Sequence, residues 1–353
     1  MNLNLFKASL TIFVVGLFSC NKVGNQNDAT HKNEIQASFS FHQNYLKEIE
    51  KLPKKSPHEK DTTMLFVKGG SFLMGGTSVQ ANPDELPVHK ETVDDFYMDA
   101  TEVTNAEFSA FVTATGYITT AERPIDPHFI AAITGVAPET VDTDPAALVF
   151  NGNPKMWWSM VKGANWRHPQ GPKSTIIGKD SYPVVQVSWY DAIAYCHWAN
   201  KRLPTEEEFE YAARNQGKQI KYSWGNDFNK AVEYANFHQG NFPLGNLKID
   251  NFEGLAPVKS FKNNALGIYD IGGNVWEWTL NSYFSDAYSK KINFEQPILA
   301  NDNTLNQKKV IRGGSFLCNE SYCSGYRVAA RMNASPDTGL EHLGFRCVRN
   351  STK

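Results

Sequence analysis

The sequence lacks the features that would assign it to several large functional classes. Its formal net charge is −2, so it has no excess of basic residues for binding nucleic acid or an anionic membrane as its main partner. It contains no P-loop and no G-x-G-x-x-G, G-x-S-x-G or H-E-x-x-H motif. These absences remove the usual sequence signals for nucleotide binding, for nucleophile-elbow hydrolases and for zinc proteases.

Long apolar runs are also absent, and the one short run lies at the N-terminus. The stretch "ASLTIFVVGLFS" follows Lys7 and falls short of the about 20 apolar residues that span a bilayer, so we interpret it as a signal-peptide core. Its ending, "LFSC", resembles a bacterial lipobox, and the alternative is an ordinary secretory signal with a chance cysteine. We expect residues 1–20 to be a lipoprotein signal with Cys20 as the lipidation site. The protein is then exported and anchored to the membrane through lipid alone, facing the periplasm or the cell surface.

The remaining sequence predicts a polar tether over residues 21–60, with a short helix in "YLKEIEKL", and one folded domain over residues 61–353. The composition includes 25 Gly and 17 Pro, which favour turns and loops. Helices are predicted at two capping boxes, one at Thr104 and Glu107 and one at Thr205 and Glu208. Cys196 lies at helical spacing with apolar neighbours and is expected to face the core.

Cysteine is scarce, and its positions leave alternatives open. With Cys20 assigned to lipid, four cysteines remain and allow three pairings. Cys318 and Cys323 lie in "GGSFLCNESYC", where they could form a structural disulfide, half of a zinc site or a reactive pair. Zinc is disfavoured because a structural site needs four ligands and no histidine lies between residues 239 and 341. A disulfide and a pair of soft thiolates suited to Cu(I) both remain.

Several longer stretches resemble one known family. "ANWRHPQGP", "KRLPTE", "GNVWEW", "SFLCNESYCSGYR" and "GFRC" are similar to motifs of the formylglycine-generating enzymes, also called sulfatase-modifying factors. The likeness runs from about Met64 to Val348. It implies a mixed α/β fold with low regular secondary structure, related to C-type lectins. It also implies a copper-dependent oxidase that uses O2 to convert the cysteine of an unfolded sulfatase segment, Cys-x-Pro-x-Arg, to Cα-formylglycine.

The resemblance assigns roles to the cysteines and their neighbours. By position, Cys318 and Cys323 match copper ligands, and Ser315 and Trp276 match residues beside the reacting centre. Core packing is the alternative role for Trp276. Cys196 and Cys347 match a structural disulfide.

The resemblance further implies calcium and a peptide groove. Hard oxygen ligands suit Ca2+, although aspartate and asparagine in loops more often cap turns. Glu102, Asp126 and Trp157 match groove residues, the two carboxylates being expected to receive the substrate arginine. For Glu102 the alternative is a surface charge at a helix start. The matching calcium positions are Asn236, Phe237, Asp250 and Phe252 for one site and Asp270, Gly273, Val275 and Glu277 for the other.

Two other functions are compatible with this fold. The first is a non-catalytic lipoprotein in a surface assembly such as gliding or secretion machinery, which would not need the Cys318/Cys323 pair. The second is an iron-dependent sulfoxide synthase, which would need a histidine-rich metal site that the sequence does not show. We expect a monomer.

Overall fold

The structure is a computed structural model that describes residues 43–55, 64–153, 155–290 and 307–351. The predicted signal over residues 1–20, its Cys20 and most of the predicted tether lie outside these residues. No helix in the described ranges combines the length and apolar character that crossing a membrane requires.

Regular elements in the described chain are short. The helices are a segment over residues 43–50 (α1), Asn105–Thr115 (α2), Pro127–Thr134 (α3), Trp189–Trp198 (α4), Glu206–Ala213 (α5), Ala231–Tyr234 (α6) and Ala287–Lys290 (α7). The strands are Met64–Val67 (β1), Gly70–Met74 (β2), His89–Val93 (β3), Phe96–Asp99 (β4), Ala146–Asn153 (β5), Met156–Lys162 (β6), Trp276–Ser282 (β7), Lys309–Arg312 (β8), Met332–Ala334 (β9), Leu343–Gly344 (β10) and Val348–Asn350 (β11).

Local sequence sets the helix ends where it was predicted to. At the start of α2 the Thr104 side chain accepts a hydrogen bond from the Glu107 N–H, and the Glu107 carboxylate accepts one from the Thr104 N–H at 2.8 Å. Gly116 ends the helix with φ 67°, a left-handed conformation that glycine adopts without strain. Thr205 and Glu208 repeat the capping box at α5. The two predicted capping boxes are confirmed.

The strands form two small sheets and two hairpins. One sheet has the order β1-β4-β11, with both outer strands antiparallel to β4, so the two ends of the domain meet there. The other has the order β10-β7-β8-β9, in which β10 runs parallel to β7. The hairpins are β2-β3 and β5-β6. This architecture confirms the predicted mixed α/β class with low regular secondary structure.

The main core is rich in aromatic side chains and includes Cys196, which α4 turns inward as predicted. Helix α1 adds Tyr45, Leu46 and Ile49 to the same core. The helix predicted in the tether therefore exists, but it belongs to the folded domain. We correct the domain boundary accordingly, because three apolar residues on one face of a short helix are buried more favourably than left in a solvated linker.

Candidate active site

A Gly-Gly turn after β8 presents the first residues of the candidate site. Gly313 and Gly314 have φ values of 93° and 78°. A Cβ on Gly314 would lie 2.6 Å from the carbonyl carbon of Gly325, so a side chain there would collide with the backbone. After this turn the Cys318 N–H donates to the Ser315 carbonyl at 2.8 Å. The turn thus brings the serine and the first cysteine to the same place.

The loop that follows holds both cysteines together. Cys318 and Cys323 are joined as a disulfide, with their Cα atoms 5.5 Å apart. The Asn319 side-chain amide donates to the carbonyl of His238 at 3.0 Å, and the His238 N–H donates to the Cys318 carbonyl at 2.9 Å. The structure places the two cysteines together, as both alternatives left open by the sequence require, and the choice between a disulfide and a thiolate pair stays a prediction. On reduction, this anchored loop would leave two thiols side by side.

The cysteine pair lines a cavity of about 180 Å³. Three other residues predicted for the site, Ser315, Trp276 and Trp157, line it too. Trp276 is only 2% exposed, so it packs in the core as well as facing the cavity. The full lining set is Phe150, Trp157, Trp158, Phe242, Trp276, Ile311, Ser315, Leu317, Cys318, Tyr322, Cys323, Met332, Asn333, Leu340 and His342.

Gly325 lets the tryptophan and the cysteine share one wall of this cavity. A Cβ at this position would lie 2.6 Å from Trp276 Cζ2 and 2.7 Å from Cys318 Sγ. A side chain would therefore have to push the indole or the sulfur away. The close approach of these two groups depends on glycine here.

An aromatic wall closes one side of the cavity. The Trp157 ring centroid lies 4.5 Å from that of Tyr322 and 5.1 Å from that of Phe242, and Phe242 stacks on Tyr322 at 4.9 Å. Trp157 thus lies in an aromatic wall of the cavity, and its contact with substrate stays a prediction. Phe242 and Tyr322 were missed, although Tyr322 lies inside the C-x4-C loop, where its position could have indicated it.

His342 is a second residue that sequence reasoning missed. Its Nδ1 lies 3.2 Å from Ser315 Oγ, and its ring packs 4.6 Å from that of Trp158. Burial lowers the pKa of His342 to about 3, so the imidazole is neutral at physiological pH. It is the only histidine after residue 238 and directly precedes the "LGFRC" motif, a signal that could have singled it out.

The other two cysteines lie in the core. Cys196 and Cys347 are both buried free thiols with their sulfur atoms 2.9 Å apart. Burial, followed by the hydrogen bond with Cys196, raises the pKa of Cys347 well above its usual value. The structure brings the predicted partners together without bonding them, and the Cys196–Cys347 disulfide stays a prediction.

The structure corrects the role of Glu102. Its side chain is fully buried, and one carboxylate oxygen accepts a hydrogen bond from the Asn274 side chain at 3.1 Å. The neighbouring Val103 fixes this segment inside, because its N–H donates to the Phe345 carbonyl and its carbonyl accepts from the Val184 N–H, each at 2.9 Å. Glu102 is therefore neither the predicted groove residue nor the surface charge considered as the alternative.

Asp126 remains a candidate for the groove, although it does not line the cavity. It is partly exposed, and its Oδ1 accepts a hydrogen bond from the His128 N–H at 2.9 Å at the start of α3. Its contact with a substrate arginine stays a prediction.

Glu102 instead lies with two carboxylates predicted to bind calcium. Glu277 accepts two hydrogen bonds from Arg346, each 2.7 Å long, whereas Glu102 Oε2 and Asp270 Oδ1 have no hydrogen-bond partner among the described residues. Burial, followed by the like charge of Asp270, raises the pKa of Glu102 well above its usual value. Burial also raises the pKa of Asp270 to about 6. A bound proton or a cation would satisfy the two unpaired oxygens of this buried cluster, and the raised pKa values of Glu102 and Asp270 correspond to the proton.

The other predicted calcium site has two converging oxygens. The Phe237 carbonyl and Asp250 Oδ2 both accept hydrogen bonds from the Gln239 side-chain amide, at 2.8 and 2.6 Å. The predicted ligand Asn236 is nearby in sequence, and its amide donates to the Gly254 carbonyl at 2.8 Å.

Side chains alone do not make a metal site here. No group of three or more His, Cys, Asp or Glu in the described ranges is arranged to hold a metal ion. Calcium binding would therefore depend on the backbone carbonyls that the prediction includes, those of Phe237, Phe252, Gly273 and Val275. Both calcium sites stay predictions.

The similarity of this chain to known proteins covers almost all of the folded domain. The family described as sulfatase-modifying factor enzyme 1-like domain matches residues 49–351. The chain is 45% identical over 289 residues to formylglycine-generating enzyme of Mus musculus, covering 81% of this chain and 75% of that protein. It is 42% identical over 303 residues to formylglycine-generating enzyme of Thermomonospora curvata, covering 84% and 96%.

Two further similarities concern a relative named as inactive and a solved structure. The chain is 38% identical over 297 residues to a Mus musculus protein named inactive C-alpha-formylglycine-generating enzyme 2, covering 83% of this chain and 87% of that protein. The solved structure of PvdO from Pseudomonas aeruginosa superposes with a TM-score of 0.55 at 24% identity, covering 82% and 94% of the two chains, and supports the fold alone. From the match over residues 49–351 and the identities above 40%, the chain belongs to the formylglycine-generating enzyme family of sulfatase-modifying factor domains.

Proposed function

We propose that this protein matures sulfatases by oxidising the cysteine of an unfolded Cys-x-Pro-x-Arg segment to Cα-formylglycine, with O2 as the acceptor. The observation that carries the proposal is the Cys318/Cys323 pair, which lies in a cavity with Ser315 and Trp276. The relatives named formylglycine-generating enzyme support the same assignment. A non-catalytic scaffold of this fold would have no need for two adjacent cysteines at the wall of a cavity.

The donor set of this cavity fits Cu(I). Once reduced by a thiol, Cys318 and Cys323 offer two soft sulfur ligands, the type that Cu(I) prefers. Cys323 is partly exposed, so a reductant and a substrate thiol can reach the pair. When bound, Cu(I) would supply an open position for the substrate thiol and the redox chemistry toward O2.

The protein's own residues have three tasks in this proposal. The buried indole of Trp276 excludes water from one side of the sulfur pair. Ser315 offers a hydroxyl at the floor of the cavity, and the wall of Trp157, Phe242 and Tyr322 offers flat apolar faces to an extended peptide. The substrate side chain would lose one hydrogen from Cβ and one from sulfur, and the two electrons and two protons would pass to O2, giving a thioaldehyde and hydrogen peroxide, or water where a thiol reductant supplies two further electrons. Water would then add to the carbon, and hydrogen sulfide would leave.

Calcium is proposed as a structural ion in two places. One would lie at Asp270 and Glu277 with the carbonyls of Gly273 and Val275, beside Glu102, and the other at Asp250 and the Phe237 carbonyl. Asn274 links the two, because its amide donates to Glu102 and its side-chain oxygen accepts from Asn236. The second of these sites also lies next to the thiol loop, since His238 donates to the Cys318 carbonyl. Calcium would therefore hold the frame of the cavity and take no part in the reaction.

We also propose that the protein is exported and anchored through a lipid on Cys20, as its N-terminal sequence predicts. Radiolabelled fatty acid should be incorporated in cells that make the natural protein and should be lost in Cys20→Ala. Equal labelling of the two proteins would exclude this anchor.

The assay of the proposed activity uses the full chain, reduced and then supplied with Cu(I), O2 and a Cys-x-Pro-x-Arg peptide. Mass spectrometry should show the mass decrease expected for conversion of cysteine to formylglycine. The matched peptide with serine in place of the cysteine should be unchanged. A folded, reduced, copper-loaded protein that leaves the cysteine peptide intact would favour the non-catalytic alternative.

A further inference from the structure

The strongest feature that the proposed function does not yet use is the contact between His342 and Ser315 in the candidate active site. Ser315 is fully buried and His342 nearly so, and both line the cavity of the cysteine pair. Their side chains come from different parts of the fold, since Ser315 follows β8 and His342 immediately precedes β10. Strand β10 pairs with β7, and the Trp276 N–H donates to the His342 carbonyl at 2.9 Å, which fixes the histidine backbone beside the cavity.

The hydrogen bonds around Ser315 limit the directions in which its proton can point. A serine hydroxyl has one proton to donate and two lone pairs that accept. Ser315 Oγ accepts the Leu317 N–H at 3.3 Å, and its other polar contact among the described residues is His342 Nδ1 at 3.2 Å. Either tautomer of the neutral imidazole satisfies these contacts, because the serine can donate its proton to a bare Nδ1 or accept a proton from Nδ1 on its second lone pair. In the first case the imidazole carries its own proton on Nε2.

This arrangement leaves two complementary groups in the cavity. Ser315 Oγ retains one lone pair, and His342 Nε2 retains a proton for which the described residues provide no hydrogen-bond partner. A cysteine residue has donors in its N–H and S–H groups and an acceptor in its carbonyl. One acceptor and one donor at the wall of a small cavity therefore match the polar groups of the residue to be oxidised.

We propose that His342 is a positioning residue for the proposed reaction, which orients the Ser315 hydroxyl so that it presents a hydrogen-bond acceptor to the substrate cysteine. The inference rests on the proposed function. The lowered pKa of His342 agrees with it, because an imidazole that stays neutral can accept the serine proton throughout the physiological range. The role involves no transfer of charge and needs only a fixed tautomer.

The first test does not depend on catalysis. Nitrogen NMR of the imidazoles in the full chain, reduced and free of metal, should show His342 as the Nε2–H tautomer. Its Nδ1 resonance should shift in Ser315→Ala. An Nδ1–H tautomer, or a spectrum indifferent to Ser315→Ala, would overturn the proposal whether or not the protein converts any peptide.

The second test uses turnover of the Cys-x-Pro-x-Arg peptide. His342→Leu should lower kcat/KM by about tenfold or more, as expected when a buried partner is left without its hydrogen bond. His342→Asn should stay within about threefold of the natural protein, because a carboxamide can both accept and donate. His197→Asn, on the partly exposed end of α4, is the matched control and should have no effect.

A double variant separates positioning from packing. If His342 acts through Ser315, the loss in Ser315→Ala/His342→Leu should equal that in Ser315→Ala alone. Additive losses, or an asparagine variant as impaired as the leucine variant, would overturn the proposal. Thermal unfolding of each variant checks that the fold is retained. Failure of the natural protein to convert the peptide would instead remove the proposed function and leave the tautomer test to decide the role of the pair.

Discussion

The two pairs of cysteines in this protein differ at one residue, because Cys323 is partly exposed whereas Cys318, Cys196 and Cys347 are buried. Cys318 and Cys323 are five residues apart and line a cavity, and Cys323 is partly exposed. Cys196 and Cys347 are 151 residues apart, and both are buried in the main core. Burial raises the pKa of Cys347, which keeps a thiol protonated and unreactive. The exposure of Cys323 therefore distinguishes the pair proposed to react from the pair predicted to be structural.

The same criterion separates the two carboxylates predicted for the substrate groove. Glu102 is fully buried beside Asn274, whereas Asp126 is partly exposed at the start of α3. Glu102 thus belongs with the groups that hold the fold together, and Asp126 belongs with those that a substrate can reach. The predictions below test this division.

The largest effect is expected at the accessible pair. Cys318→Ser and Cys323→Ser should each abolish turnover, because either change removes one of the two soft sulfur ligands proposed for copper. Peptide conversion is measured by mass spectrometry, and the midpoint of thermal unfolding should show that the variants remain folded. Full activity in Cys323→Ser would rule out the proposed mechanism.

The buried pair should affect stability and leave turnover unchanged. If Cys196 and Cys347 form a disulfide in the exported protein, the bridge closes a loop of 151 residues and should stabilise the fold by about 5 kcal/mol in the chain-entropy account. Urea unfolding of Cys196→Ala/Cys347→Ala should then show this loss, while the variant still converts peptide under conditions where it is folded.

The control for this prediction is the Cys318→Ser/Cys323→Ser protein, in which the buried pair alone can be bridged. Its unfolding should remain sensitive to reductant, and peptide mapping without reduction should recover residues 196 and 347 in one cross-linked species. Ready alkylation of Cys196 in the native protein would show that the buried pair is not bridged.

Chelation should have a smaller effect, again on stability. Ca2+ that binds only the folded state at 100 times its Kd stabilises by about 2.7 kcal/mol, so a chelator should lower the Tm. Glu102→Gln and Asp270→Asn should reduce this response at one site, and Asp250→Ala should reduce it at the other. Asp142→Asn, in an exposed pair with Lys162, is the matched control. A Tm that does not change with chelator would remove calcium from the proposal.

Part of the fold and of the candidate site could be predicted from the sequence, because the residues that form it are close together in the chain. The capping boxes at Thr104 and Thr205 are complete within four residues, and the Gly-Gly turn and C-x4-C loop form the cavity wall within a dozen. The rest depends on contacts between distant segments. Glu102 contacts Asn274, its neighbour Val103 is held by Phe345, and His342 reaches Ser315 only because β10 pairs with β7. No local sequence pattern predicts these contacts between distant segments.

The smallest effect concerns substrate choice and compares the two carboxylates directly. Asp126→Asn should raise KM for a Cys-x-Pro-x-Arg peptide by about two- to tenfold and nearly preserve kcat, because it removes a partly exposed hydrogen-bonding charge that does not line the cavity of the cysteine pair. The same peptide with alanine in place of arginine should be unaffected. Glu102→Gln should change both peptides equally, since a buried carboxylate acts through the frame of the cavity. If Glu102→Gln weakened only the arginine peptide, substrate would be reaching a side chain that this structure encloses. Burial would then no longer distinguish the residues that bind substrate from the residues that stabilise the fold.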